Sequence, residues 1–152
     1  MTPKSNSAVL RVVTKQIIPM ILLFGLYVQF HGEYGPGGGF QAGVIFAAGF
    51  VLYALVFGLD NASRAMPARA LFKLAPLGVL LFAGVGVYSL LRGYAFLDYT
   101  AIDPHDPVHA QHLGILIIEL GVGLTVFSVL LLIFYAFAGR RRADSLTHKD
   151  MG

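Results

Sequence analysis

One carboxylate stands inside a long apolar stretch, and its type and position point to chemistry. Glu119 follows His112 by two helical turns, so the two residues share a helix face. An acidic side chain at the centre of a membrane-spanning helix costs about 2.5–3.5 kcal/mol on insertion scales. Such a side chain is expected to be protonated, to be paired, or to face water or another subunit. Two roles stay open for Glu119, with His112 beside it: one structural contact, or the handling of a proton or cation.

Three histidines have spacings that occur in metal sites: His105, His109 and His112. Pro104 and Pro107 make a continuous helix through the first part of this segment unfavourable. The segment is therefore interpreted as a polar surface loop, with His112 at the start of the following helix. His105 and His109 remain weak metal candidates, and no cofactor is predicted.

A run of glycines between the first two apolar stretches is the second notable feature. Pro36 fixes its own φ, and the glycines after it can take backbone angles closed to other residues. Such a run favours a tight turn or a close approach of two backbones. His31 and Glu33 lie beside the run and are further candidates for a polar contact or an ion path. The residues predicted to form the turn and to dock a neighbouring subunit are Pro36, Gly37, Gly38, Gly39, Phe40, Gln41 and Gly43.

The composition assigns the chain to the membrane proteins. Of its 152 residues, 57% are hydrophobic and 12% are charged, whereas soluble domains are about one quarter charged. Four apolar stretches are each long enough to cross a bilayer. The prediction is an all-α integral membrane protein with spans at 9–30, 41–59, 70–91 and 112–138, flanked by tails at 1–8 and 139–152.

The distribution of positive charge predicts the orientation. With four spans, every Lys and Arg except Arg92 lies on the side of the two termini. This asymmetry places both termini in the cytoplasm and turns the glycine run outward. Because the basic residues sit at helix ends, they do not form a nucleic-acid-binding face. The chain also lacks a phosphate-binding loop and a nucleophile-elbow motif, so it is not predicted to be an enzyme.

Three segments resemble a known family. Residues 24–32 and 35–45 read FGLYVQFHG and GPGGGFQAGVI, and residues 116–126 read LIIELGVGLTV. Together they resemble the B subunit of Mrp-type, or Mnh-type, multi-subunit Na⁺/H⁺ antiporters, over about residues 10–138. This sequence has Ala42 where the family often has Gly, and Glu119 where the family commonly has Asp.

The resemblance implies a non-catalytic subunit of a large hetero-oligomer in the cytoplasmic membrane of a prokaryote. Its partners would be the other antiporter subunits and the lipid bilayer, and the transported ions would be Na⁺ and H⁺. An antiporter that acts alone is expected to have more ionisable residues in its membrane spans than this single acid. The sequence therefore agrees with a role in a larger transporter. The alternatives are an Mrp-like subunit of a hydrogenase or respiratory complex, a small proton-coupled exporter that acts alone, and a membrane metalloenzyme that uses the outer histidines.

Overall fold

The structure, a computed structural model, describes residues 3–32 and 35–149, with side chains from 8 to 32 and from 35 to 140. Every regular element in this part of the chain is a helix. The elements are α1 (Pro3–His31), α2 (Gly39–Phe57), α3 (Leu59–Ala65), α4 (Ala68–Leu91) and α5 (Pro107–Lys149), with a short 3₁₀ helix at Tyr99–Ala101 between α4 and α5.

Four of these helices are long and apolar enough to cross a membrane. The segments that qualify are Ala8–His31, Gly39–Phe57, Ala68–Leu91 and Pro107–Arg140. The prediction of an all-α protein with four membrane spans is confirmed. Pro19 and Pro76 lie within α1 and α4, and each helix continues through its proline.

Helix α5 begins at Pro107, before the predicted start at His112. Asp106 accounts for the earlier start, because its Oδ1 accepts hydrogen bonds from the backbone N–H groups of Val108 (3.1 Å) and His109 (3.0 Å). An aspartate before the first turn and a proline in the first helical position are both favoured at helix N-termini. At its other end α5 continues to Lys149, through residues assigned from sequence to a tail.

Helix α5 lies between α2 and α4, and α1 packs mainly against α2. Glycines allow α2 and α4 each to pack closely against α5. A methyl group added at Gly43 of α2 would lie 2.6 Å from the carbonyl oxygen of Gly123, and one added at Gly121 would lie 2.7 Å from that of Gly78 in α4. Close packing of small residues is the usual means by which membrane helices associate, because lipid is as apolar as the side chains.

The connection from α4 to α5 folds back onto both helices. The fully buried hydroxyl of Ser89 donates to the carbonyl oxygen of Asp98 at 2.9 Å and to that of Val85 at 3.0 Å. The ring of Phe96 covers Gly86, and the ring of Tyr99 covers Gly114. The loop between α4 and α5 thus packs over the ends of the two helices that it connects.

The α1–α2 pair and the α4–α5 pair extend to different levels along the axis of the bundle. The first turn of α2 meets α5 at Glu119. Helix α5 begins at Pro107, so about 18 Å of it, at 1.5 Å per residue, precedes this meeting point. The α4–α5 pair therefore extends well beyond the turn that joins α1 to α2.

Candidate functional site at the glycine turn

The glycine turn joins α1 to α2 through a backbone conformation that requires glycine. Gly38 has φ 106° and ψ −171°, a region that is essentially restricted to glycine. Its N–H donates to the carbonyl oxygen of Val28 in α1 at 3.4 Å, and its carbonyl accepts from the N–H of Ala42 in α2 at 3.0 Å. The turn is therefore bonded to both helices, as expected for a rigid connection.

Glu119 lies directly against this turn. Its carboxylate occupies the space beside two glycines: a methyl group added at Gly38 would lie 2.6 Å from Oε1, and one added at Gly32 would lie 2.6 Å from Oε2. The backbone carbonyl of Glu119 lies so close to Gly39 that no side chain fits there. Three glycines of the connection thus form the recess in which this half-buried acid sits.

The position of the carboxylate has an electrostatic consequence. Gly38 is the N-cap of α2 and has no side chain with which to cap the helix. The N-terminal end of a helix carries a partial positive charge, which favours a nearby anion. An acid of α5 is therefore placed where the turn itself lacks one, and in its ionised form it would attract the N-terminal end of α2 as well as pack against it.

The residues of the turn divide between two faces. Gly38, Gly39 and Gly43 are buried and face α5. Pro36, Phe40 and Gln41 are exposed and line an outward cavity of about 370 Å³. A methyl group added at Gly37 would lie 3.4 Å from a side-chain carbon of Val28, so this residue packs against α1.

The histidines predicted beside Glu119 and the turn are exposed. The ring of His31 stacks on that of Tyr27, with centroids 5.0 Å apart, and it borders the turn at Gly35. His112 lies exposed on α5, between its first turn and Glu119. Glu33 lies outside the described residues.

The loop between α4 and α5 uses its acidic residues to hold its own backbone. Asp103 Oδ1 accepts from the N–H of His105 at 3.1 Å and from that of Asp106 at 3.3 Å. Asp103 Oδ2 lies 3.3 Å from His109 Nδ1. The hydrogen bond from the Asp106 backbone, together with those from His105 and His109, lowers the pKa of Asp103 and outweighs the opposing effect of burial. Across the described part of the chain, no three His, Cys, Asp or Glu side chains are grouped to hold a metal ion.

Gln29 is a residue that sequence reasoning missed. It is 5% exposed, and its Oε1 faces Gly123, where an added methyl group would lie 2.8 Å away. Its Nε2 has no hydrogen-bond partner among the described residues. The signal was present in the sequence, because a carboxamide in an apolar span marks either a polar contact or a functional site.

Comparison with known proteins identifies the family to which this arrangement belongs. Residues 9–132 match the domain related to the MnhB subunit of Na⁺/H⁺ antiporter. A protein named as antiporter subunit mnhB2 in Staphylococcus haemolyticus is 36% identical over 90% of this chain and 97% of its own length. Its namesake in Staphylococcus epidermidis is 33% identical over 91% and 99%, respectively. The chain has four helices that can span a membrane, and the family match and both relatives extend over most of its length. The chain therefore belongs to the MnhB family of antiporter subunits, multi-pass membrane proteins of ion transport.

Proposed function

We propose that this chain is a non-catalytic subunit of a multi-subunit Na⁺/H⁺ antiporter in the cytoplasmic membrane of a prokaryote. In that complex, the recess formed by Gly32, Gly38 and Gly39 around Glu119 fixes α1 and α2 against α5. The fixed arrangement presents the exposed face of the turn to neighbouring subunits. The seating of the Glu119 carboxylate in this recess is the observation that carries the proposal.

The energetics favour this role for the recess. Removing a half-buried carboxylate from its surroundings would leave a void between three glycines that have no side chains to fill it. The positive end of α2 would lose its anion at the same time. Both losses separate α2 from α5, and the exposed residues Pro36, Phe40 and Gln41 would then lose their fixed position.

A second contribution of Glu119 concerns the ion path. It is the acid of the membrane-embedded part of α5, and ionisable residues in membrane spans commonly mark routes for protons and cations. We propose that its negative charge shapes the electrostatic field that a transported cation or proton meets at the boundary of this subunit. The ion-path contribution is lost when the charge alone is removed, whereas the packing contribution keeps its larger part, the volume of the side chain.

Two substitutions separate charge from volume. Glu119→Gln keeps the volume of the side chain and removes its charge, whereas Glu119→Ala removes both. We expect Glu119→Gln to leave the subunit in the complex and to reduce Na⁺-dependent proton movement in everted membrane vesicles. Glu119→Ala is expected to reduce recovery of the complex itself, measured by co-purification from mild detergent.

Asp60→Asn is the control for the loss of a negative charge outside the recess, because Asp60 is an acid of α3. Its effect on antiport should be smaller than that of Glu119→Gln. Unchanged antiport by Glu119→Gln at normal expression would remove the ion-path role and leave the structural one. Recovery of the tagged chain without any other subunit would overturn the proposed function as a whole.

A further inference from the structure

A groove of about 330 Å³ lies on the surface of the α4–α5 pair, where the loop that joins the two helices also contributes to its walls. The walls are mainly aliphatic, with Leu80 from α4, Ile102 from the loop and Ile117 from α5, and Tyr88 lines the end nearest the loop. Gly84 leaves the middle of the groove open, since a methyl group added there would meet nothing within 4 Å. The groove faces the surroundings of the bundle, because Leu80 is 67% exposed.

Arg92 follows the last turn of α4 and is directed back towards this groove. Its Nη1 donates to the hydroxyl of Tyr88 at 3.1 Å, and its guanidinium lies 5.8 Å from the centre of that ring. No acidic side chain of the described residues pairs with Arg92. The carboxylate of Asp98, the nearest acid in the sequence, accepts instead from the backbone N–H of Thr100 at 3.0 Å. A guanidinium has five N–H donors, so Arg92 presents a positive charge and further donors at one end of an apolar groove.

The groove and the cation are spaced as the two parts of a phospholipid are. From Leu80 to Tyr88 the groove follows α4 for about 12 Å, at 1.5 Å per residue, and Arg92 lies one turn further. One leaflet of hydrocarbon is about 15 Å deep, half of a core of about 30 Å. An acyl chain in the groove would therefore point towards the bilayer centre while its headgroup reached Arg92. Tyrosine and arginine at the end of a span are typical of the headgroup level.

We propose that this groove binds one phospholipid molecule, with an acyl chain between α4 and α5 and the phosphate on Arg92. Guanidinium groups bind phosphate oxygens through paired, charge-assisted hydrogen bonds. An apolar helix of another subunit would fill the groove and leave the cation without an anion, whereas a phospholipid supplies both parts in one molecule. The proposal does not depend on the proposed function, because it requires only that the chain spans a bilayer.

A pair of lipid probes tests the role of the phosphate on the unaltered complex. Both probes carry the same diazirine acyl chain, one in a phosphatidylcholine and the other in a diacylglycerol, which has no phosphate. Each is added to the purified complex in mild detergent, and the labelled peptides are identified by mass spectrometry. Labelling is normalised to peptides of α2, a span without a charged residue. We expect the phosphatidylcholine probe to label residues 80–88 about fivefold more than the diacylglycerol probe, the factor for one arginine near a lipid phosphate.

Two variants separate the cation from the groove. Arg92→Gln removes the charge and should reduce labelling by the phosphatidylcholine probe to the level of the diacylglycerol probe. Arg69→Gln is the matched control, because Arg69 is an exposed arginine in the first turn of the same helix; it should leave the labelling unchanged. Gly84→Leu places a side chain in the open middle of the groove and should reduce labelling of this segment although Arg92 is intact.

Three results would overturn the lipid site. Equal labelling of residues 80–88 by the two probes in the wild-type complex would show ordinary contact with lipid, without recognition of the phosphate. Labelling that Arg92→Gln leaves unchanged would remove the cation from the site. A segment that neither probe labels, in a complex whose α2 peptides are labelled, would show that another subunit fills the groove.

Discussion

The carboxylate of Glu119 lies against the backbone of Gly38, so that an acid in the middle of α5 meets the glycine that begins α2. The two residues are far apart in sequence, and each is unusual where it stands. Gly38 has a backbone conformation closed to other residues, and Glu119 is an acid in an apolar span. Their contact links the turn between α1 and α2 to the helix that organises the bundle.

Substitution of Gly38 tests this contact. Gly38→Ala forces alanine into a conformation that costs about 1–3 kcal/mol, and it also places a methyl group 2.6 Å from Glu119 Oε1. Gly58 has a closely similar conformation, with φ 96° and ψ 150°, but an added methyl group there meets nothing within 4 Å. We expect Gly38→Ala to lower the thermal-unfolding midpoint in detergent clearly more than Gly58→Ala. Equal decreases in the two midpoints would show that the backbone conformation alone requires a glycine at position 38.

Two glycines of α4 offer a test of the α4–α5 contact. A methyl group at Gly78 would collide with the carbonyl oxygen of Gly121 and with Thr125, whereas one at Gly84 meets open space. Gly84→Ala should be neutral or stabilising by about 0.5–1 kcal/mol, because alanine favours a helix. Gly78→Ala should destabilise by about 1–3 kcal/mol through overpacking. Thermal unfolding of both variants in the same detergent provides the measurement, and a stable Gly78→Ala would contradict the packing described here.

The hydroxyl of Ser89 is predicted to hold the loop between α4 and α5 to α4. Ser89→Ala removes the hydrogen bond to the Asp98 carbonyl from a fully buried position, at an expected cost of about 1 kcal/mol. Ser63 makes a similar bond to the Asp60 carbonyl at 3.0 Å, but it is exposed. Ser63→Ala should therefore cost little. Faster proteolysis of the loop between α4 and α5 in Ser89→Ala, and not in Ser63→Ala, would confirm the role.

Asp103 makes the stability of the loop between α4 and α5 dependent on pH. Hydrogen bonds, first that from the Asp106 backbone, lower the pKa of this carboxyl below its ordinary value in the folded protein. The stabilisation is therefore present above the ordinary pKa of aspartate, and it is lost as the pH falls through the lowered value. Asp103→Asn should reduce the thermal-unfolding midpoint relative to wild type near pH 6. The two proteins should converge in strongly acidic solution, and a constant difference would argue against the charge.

The sequence was sufficient for the spans but not for the site. Long apolar stretches and the glycine run predict four helices and a rigid turn, because hydropathy and backbone freedom are local properties. The contact of Glu119 with Gly38 depends on which helices pack together, and periodicity along one helix does not determine that. Helical spacing places Glu119 on the face of His112; the structure shows that the same helix packs on two sides, with Gly121 towards α4 and Gly123 towards α1 and α2.

Two further differences had signals that local rules could have found. Asp106 followed by Pro107 is a favoured start for a helix, although a proline in the interior of a helix interrupts it. Gln29 stood inside the segment that carries the family resemblance, and its polarity was not weighed. In contrast, no local rule predicts whether Gln29 Nε2 finds a hydrogen-bond partner, because this depends on how α1, α2 and α5 pack together.

The different heights of the two helical pairs have a consequence for the surrounding lipid. In a bilayer whose hydrocarbon core is as thick as α2 is long (19 residues), about the first 18 Å of α5 lies beyond the level of the glycine turn. This part of α5 either projects from the lipid or requires a thicker bilayer than α2 can span, and the lipid beside the turn then becomes thinner at a cost that increases with each ångström of mismatch. Protein that fills the step removes this cost. The shape of this subunit alone thus makes the region above the turn an unfavourable place for lipid and a favourable one for another polypeptide.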